Sequence, residues 1–154
     1  MTFSTSYYAR INEIRDKYPD YILVSISGGL TPEISELIDI HDKRFAPNLS
    51  LFKEYKDNPN NPLRESQYVK RFKKEVLEQR NFNEILKSWS DKYGNTKKYI
   101  LLCYEKPEDF CHRQIVAEAL EQKYSIEVSE LFFEDNIRTE YKIKIKDNLN
   151  EDEW

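Results

Sequence analysis

The stretch Lys97-Lys-Tyr-Ile-Leu-Leu-Cys-Tyr-Glu-Lys-Pro-Glu-Asp-Phe-Cys-His-Arg113 decides the fold. Its first seven residues are a short apolar run behind two lysines and read as a strand buried on both faces, the kind found in parallel sheets. Tyr21-Ile-Leu-Val-Ser-Ile26 has the same character and is ended by Ser27-Gly28-Gly29. Cys111 to Tyr124 carries Ile115, Val116, Ala119 and Leu120 in one stripe and reads as a helix. Ser125 to Leu131, with Ile126 and Val128, reads as a further strand. Strand, helices, strand, helix, strand predicts a single compact α/β domain with a mostly parallel central sheet flanked by helices. In such sheets ligands sit beyond the carboxyl ends of the strands. Two segments leave those ends here, Ser25 to Leu30 and Cys103 to Arg113.

Working outward, residues 5–17 read as a helix on the spacing of Tyr7, Tyr8, Ile11, Ile14 and Tyr18, stopped by Pro19. Thr31 before Pro32 is a helix start, with Ile34, Leu37 and Ile38 inward. Residues 41–64 are broken by Ala46-Pro47 and by Asn58-Pro-Asn-Asn-Pro62, with a short helix from Leu49 to Lys56 between. Residues 65–79 form a helix with Tyr68, Phe72, Val76 and Leu77 on one face, and another follows from Asn83 to near Gly94. Tyr141 to Ile145 alternates apolar and basic residues, as in an edge strand blunted by lysines. The expected organisation is one domain over 1–146 and a disordered acidic tail over 147–154.

The chain has 154 residues, 34% charged and 14% aromatic, with a net charge of −4. The aromatic content excludes a disordered chain, and no apolar run is long enough to span a bilayer. Asp147, Glu151, Asp152 and Glu153 carry the acidic excess, so the rest is near neutral, which disfavours broad nucleic-acid binding. The start, MTFSTSYYAR, has no basic region followed by an apolar one, so no secretory leader and no membrane association are expected, and a cytoplasmic location is. Two cysteines are no disulfide framework, and both thiols are expected to be free. A monomer and a homodimer fit equally.

The chemistry concentrates in Cys103–Arg113. A buried strand delivers Cys103, Tyr104 and Glu105 to the rim of the sheet. Cys111, His112 and Arg113 then fall in the first turn of a helix, with Asp109 as the expected cap. The helix start offers unpaired N–H groups and a partial positive charge, and it lowers the pKa of a thiol placed there. Three readings fit these residues. In one, Cys111 is a nucleophile or anion contact, His112 and Glu105 are acid–base groups, and Arg113 clamps a carboxylate or phosphate. In another, Cys103, Cys111 and His112, with Glu105 or His41 as a further ligand, hold zinc, against the unusual spacing and the roughly 100° between adjacent helical residues. In the third they are structural: Cys103 is core and Arg113 pairs with Glu105 or Glu108.

At this segment the chain resembles a known family. Leu101-Leu-Cys-Tyr-Glu-Lys-Pro107 with Phe110-Cys-His-Arg113 is similar to the signature of the bacterial domain-of-unknown-function 488 family. Tyr7-Tyr-Ala9, Val24-Ser-Ile-Ser27, Ala46-Pro47, Leu51–Lys56, Tyr68, Ala117 and Val128-Ser-Glu130 fit it in the same order. The resemblance covers residues 5–131 and implies a compact α/β fold with Rossmann-like layers. It implies no activity. Where longer relatives carry an Asp-Val-Arg strand this chain has Asp39-Ile40-His41, which leaves any role of that strand in doubt.

The leading expectation is a small enzyme of undefined cofactor. It binds an anionic, phosphate- or nucleotide-like ligand where Ser25, Ser27 and Cys103–Arg113 converge, with Tyr104 or Tyr68 as a stacking wall. The Ser-Ile-Ser-Gly-Gly loop lacks the spacing of a dinucleotide fingerprint. The alternative from another class is a non-catalytic module that contacts nucleic acid or protein through the basic helix 65–79, where Arg64, Lys70, Arg71, Lys73 and Lys74 cluster beside Tyr68.

Overall fold

The structure, a computed structural model, describes residues 1–107, 109–132 and 144–149. Its strands are β1 (Thr2–Tyr7), β2 (Ile22–Ser25), β3 (Ile40–His41), β4 (Lys98–Cys103) and β5 (Ser129–Glu130). Its named helices are α1 (Ile11–Lys17), α2 (Pro32–Ser35), α3 (Leu49–Asp57), α4 (Arg64–Glu75), α5 (Phe82–Tyr93) and α6 (His112–Tyr124). The strands form one sheet in the order β3-β2-β4-β1-β5, and every pairing is parallel.

Successive strand residues face opposite sides, and both sides are covered. Ile22, Val24, Tyr99 and Leu101 join a large core with Leu51, Phe72, Trp89 and Ile115 from α3 to α6. Leu23, Ile100 and Leu102 join a smaller one with Ile11 and Ile14 of α1. Each fully buried aliphatic or aromatic side chain contributes roughly 1.5–3 kcal/mol. Packing of these two layers therefore outweighs the propensity of helices as short as α1 and α2. The caps are local: Asn48 Oδ1 accepts from Leu51 N–H at 2.8 Å, Asn81 Oδ1 from Glu84 N–H at 3.2 Å, and Thr31 Oγ1 from Ile34 N–H at 3.4 Å.

The sheet order creates the site. β2 and β4 are neighbours, with Ser25 beside Leu102. After β2 the chain runs to α2, whose Ile34 packs on the smaller core. After β4 it runs to α6, which packs on the larger core across the sheet. The two segments diverge and open a crevice at the carboxyl ends of the strands, a topological switch point.

Several sequence expectations are corrected. Residues 5–17 are not one helix. Thr2–Tyr7 is β1, an interior strand, and only Ile11–Lys17 is α-helical after a 3-10 turn at Tyr8–Arg10. The tyrosine spacing mimicked a helical face, while Ser4, Thr5 and Ser6 are fully buried because their small side chains suit a strand between two layers. The helix over 65–79 ends at Glu75 and continues only as a 3-10 turn at Leu77–Gln79. The strand over 125–131 is confined to Ser129–Glu130, since Ser125 adopts a left-handed conformation (φ 52°) that closes α6. Ile40–His41 does form an edge strand, in register with Val24 and Ser25. At the C-terminus residues 144–149 are helical, with Ile145 and Leu149 in the larger core. The edge strand expected over 141–145 is thus not formed at 144 and 145, and residues 141–143 lie outside the described residues. Of the tail expected to be disordered, 147–149 belong to this helix and 150–154 lie outside the described residues.

Candidate functional site

A cavity of about 620 Å3 occupies the crevice. Its floor is the loop Ser27–Thr31 after β2, one wall is Tyr104 and Glu105 after β4, and another is Phe110, Cys111 and His112 at the start of α6. α3 and α4 close it with Phe52, Tyr55, Lys56 and Tyr68. The aromatics brace one another: Tyr68 meets Phe110 edge-on at 5.7 Å and Tyr55 at 5.2 Å. Burial, with the Glu105 carboxylate nearby, pushes the Tyr68 hydroxyl well above the ordinary phenol range, so it stays neutral. Tyr104 is 45% exposed at the mouth, holds its ring edge-on to Tyr8 at 4.5 Å and accepts a hydrogen bond from Thr31 N–H.

Three hydroxyls lie behind the floor. Tyr8 Oη is 2.6 Å from both Ser25 Oγ and Ser27 Oγ. Ser27 reaches the cavity, whereas Ser25 is fully buried and acts through this triad. Gly28 and Gly29 also line the cavity, and a Cβ on either would meet only open space.

A cluster of Glu105, Cys111 and His112 sits in the opposite wall. Glu105 Oε2 lies 3.4 Å from the Cys111 sulfur, and His112 Nδ1 lies 3.7 Å from it. The Ile26 carbonyl can only accept, so its 2.7 Å contact with His112 Nε2 fixes the proton on Nε2 and leaves the Nδ1 lone pair toward the sulfur. Burial holds the imidazole pKa below its ordinary value, against the Ile26 bond and the Glu105 charge, so the neutral ring prevails at pH 7. Lys56 Nζ stands 3.8 Å from Glu105 Oε1.

The two sulfurs are paired in this structure, which corrects the expectation of separate free thiols. The Cα atoms of Cys103 and Cys111 are 7.7 Å apart. Cys103 is fully buried behind Cys111 and is no part of the cavity wall. Asp109 is not the cap of α6. Cys111 is, with an extended backbone (φ −143°, ψ 146°), and its side chain makes no capping bond.

Arg113 points away from the cavity. It is fully buried, and its Nε and Nη2 donate to the two carboxylate oxygens of Glu130 at 3.0 and 3.2 Å. Nη1 donates to the Glu105 carbonyl and to Cys103 Sγ, the latter at 3.1 Å. Glu130 Oε1 also accepts from Thr5 Oγ1 at 2.6 Å. Of the expected partners, Glu105 contributes only its main chain and Glu108 lies outside the described residues, while Glu130 supplies the carboxylate.

The structure brings together Ser27, Tyr68, Tyr104, Glu105, Cys111 and His112, and it sets Ser25, Cys103 and Arg113 behind them. Sequence reasoning left out Tyr55, Phe110, Lys56, Tyr8 and Glu130 as site residues. All five lie in stretches that carry the family resemblance, which was the signal available. On the basic helix, Arg71 is held by Glu54 and Glu75, and buried Lys73 donates to the Leu149 carbonyl at 2.7 Å. Asp39, His41 and Asp42 do not converge: Asp39 pairs with Arg15, Asp42 with Arg44 and Trp89, and His41 contacts the Ser27 carbonyl.

No helix among the described residues is long and apolar enough to cross a membrane. Comparison with curated proteins finds no match, and neither does comparison with solved structures. A family model described as the active DUF488-N3 subclade, DUF488-N3a, matches residues 14–124, which span every cavity residue described above, and the chain therefore belongs to the DUF488 family.

Proposed function

We propose that the protein is a small enzyme that binds a planar, nucleotide-like ligand in this cavity and acts on it through Cys111, His112 and Glu105. The observation that carries the reading is the meeting of braced aromatic walls and this cluster in one cavity of about 620 Å3. Tyr104, Tyr55, Tyr68 and Phe110 offer faces and edges to a heteroaromatic ring, and such stacking contributes about 1–3 kcal/mol per base. Lys56, which lines the cavity, suits an anionic substituent on that ring. In the reduced chain Cys111 enters as a thiol whose proton His112 Nδ1 can take, leaving the thiolate as nucleophile, and Glu105 is the acid–base group facing the ligand. Arg113 is a positioning residue in this reading, acting through Cys103 and the Glu105 main chain.

The test is a thermal-shift panel of purine and pyrimidine nucleosides and nucleotides against the phosphine-reduced protein. At a hundred times its dissociation constant a ligand stabilises by about 2.7 kcal/mol. For a domain of this size that is a rise in Tm of roughly 5–11 °C. A panel in which no compound shifts the melting curve overturns the reading.

A further inference from the structure

The geometry points to a zinc-type metal centre at Cys103, Cys111 and His112, with an open coordination position facing the cavity. This deepens the enzyme reading above and rests on it for the ligand.

The two sulfurs and a ring nitrogen of His112 lie within 4.8 Å of one another, and all three residues are buried. Thiolate and imidazole are the donors zinc prefers. A relaxed disulfide spans Cα atoms roughly 4.4–6.8 Å apart, and the 7.7 Å here lies beyond that range. Two thiolates on one tetrahedral ion, each about 2.3 Å from it, sit roughly 3.8 Å apart and suit the wider backbone spacing. The structure also supplies the outer support that metal ligands need. His112 Nε2–H is anchored on the Ile26 carbonyl, so the Nδ1 lone pair is fixed toward Cys111. The Arg113 guanidinium donates to Cys103 Sγ and favours its thiolate.

The spacing argument against joint ligation by adjacent residues does not apply. Cys111 is the extended N-cap and only His112 is helical, so their side chains need not diverge as two helical neighbours do. The ion takes the place of the thiol proton between Cys111 and His112. Binding releases both thiol protons to solvent, and two thiolates neutralise a divalent charge. From the paired-sulfur form, a reductant must first supply two electrons.

Cys103 closes the site from the buried side, while Cys111, His112 and Glu105 face the cavity. Three protein ligands and an open position are the arrangement of a catalytic rather than a structural zinc. A bound ion of this kind would lower the pKa of its water to about 7. Glu105, whose carboxylate is beside Cys111, can accept that proton and aim the hydroxide at the ligand. The substrate class is then a planar heteroaromatic compound carrying a hydrolysable group, with water as co-reactant.

The full chain, reduced with a phosphine and stripped with a chelator, is titrated with zinc and with cobalt(II). One ion per chain in the native mass spectrum is expected, together with a sulfur-to-cobalt charge-transfer band and the visible bands of a tetrahedral site. Cys111→Ser, Cys103→Ser and His112→Gln should each weaken binding by about 100-fold or more, beyond the usual cost of losing an outer support. Glu105→Gln should keep the ion. The cobalt spectrum of the unsubstituted chain keeps the test decisive if Cys103→Ser does not fold. A reduced chain that takes up no ion, or a Cys111→Ser chain that holds it equally well, overturns the proposal. Loss of the ion in Glu105→Gln makes Glu105 a fourth ligand and overturns the open position. A nucleotide-induced melting shift without metal uptake removes the metal and leaves the cavity reading. Metal uptake without any such shift does the reverse.

Discussion

Replacing Arg113 by alanine separates an anion clamp from a buried strut. Arg113 is fully buried, and the Glu130 side chain is 6% exposed. Removing the guanidinium leaves the Glu130 carboxylate without its two charged donors, while Thr5 Oγ1 still donates to it. Breaking a buried pair from one side costs about 3–5 kcal/mol. For a domain whose whole stability is about 5–15 kcal/mol that is a large share. It corresponds to a fall in Tm of roughly 6–20 °C for a chain of this size. Urea unfolding of reduced protein, followed by tryptophan fluorescence from Trp89, measures it as a shift in midpoint at constant slope. Glu130→Leu alone should cost a similar amount. The double variant Arg113→Met with Glu130→Leu should recover most of the loss, because apolar groups of similar volume often replace a buried pair at little cost. A loss below about 1 kcal/mol in Arg113→Ala, the low end expected for an exposed pair, would refute the reasoning and return Arg113 to the ligand.

Three further outcomes are expected. Tyr104→Ala, at an exposed position, should change stability by less than about 1 kcal/mol and weaken a stacked ligand by about 5- to 150-fold, which titration calorimetry reads directly. Gly29→Ala should leave the midpoint of urea unfolding unchanged or raise it by about 0.4–1 kcal/mol, since its Cβ meets open space, yet it should reduce ligand affinity by filling the cavity floor. Burial raises the Asp42 carboxyl pKa, but hydrogen bonds from Arg44 and Trp89 overcome this and hold it below the ordinary value. The folded pKa is therefore the depressed one. Its stabilisation is complete above about pH 4 and disappears as the pH falls through the lower folded value. Asp42→Asn should accordingly be destabilising at pH 7, with the difference from the unsubstituted chain narrowing in acid unfolding.

The parts of the fold legible in the sequence are those where hydrophobicity alone decides. β2 and β4 are continuous apolar runs, and α6 carries a stripe of small and branched residues. β1 was illegible because its buried residues are hydroxylic. Ser4 reaches Ser129 at 3.1 Å and Thr5 reaches Glu130, partners more than a hundred residues downstream. A local window sees only polar residues followed by two tyrosines. The same distance in sequence hid how the walls of the site assemble around the named candidates. Cys111, His112 and Glu105 stand in one short segment and could be read together. Tyr55 and Tyr68 approach Phe110 only because α3 and α4 pack over the crevice. The partner of Arg113 was misplaced for a related reason: Glu130 becomes its neighbour only after α6 has carried the chain back to the sheet.

The stretches that carry the family resemblance acquire a common physical sense from this arrangement. Tyr8 and Ser27 form the hydroxyl floor, Phe110 and Tyr68 the aromatic wall, and Glu130 the counter-charge of Arg113. Arg113 in turn touches the Cys103 sulfur and the Glu105 carbonyl, so the charge pair behind the sheet and the groups facing the cavity belong to one connected network. A guanidinium fixed by Glu130 cannot follow a ligand, but it ties the Cys103 sulfur to the Glu105 main chain. The motif is then read as a division of labour along the first turn of α6. Cys111 and His112 line the cavity, while Arg113 faces inward and contacts the sulfur behind them.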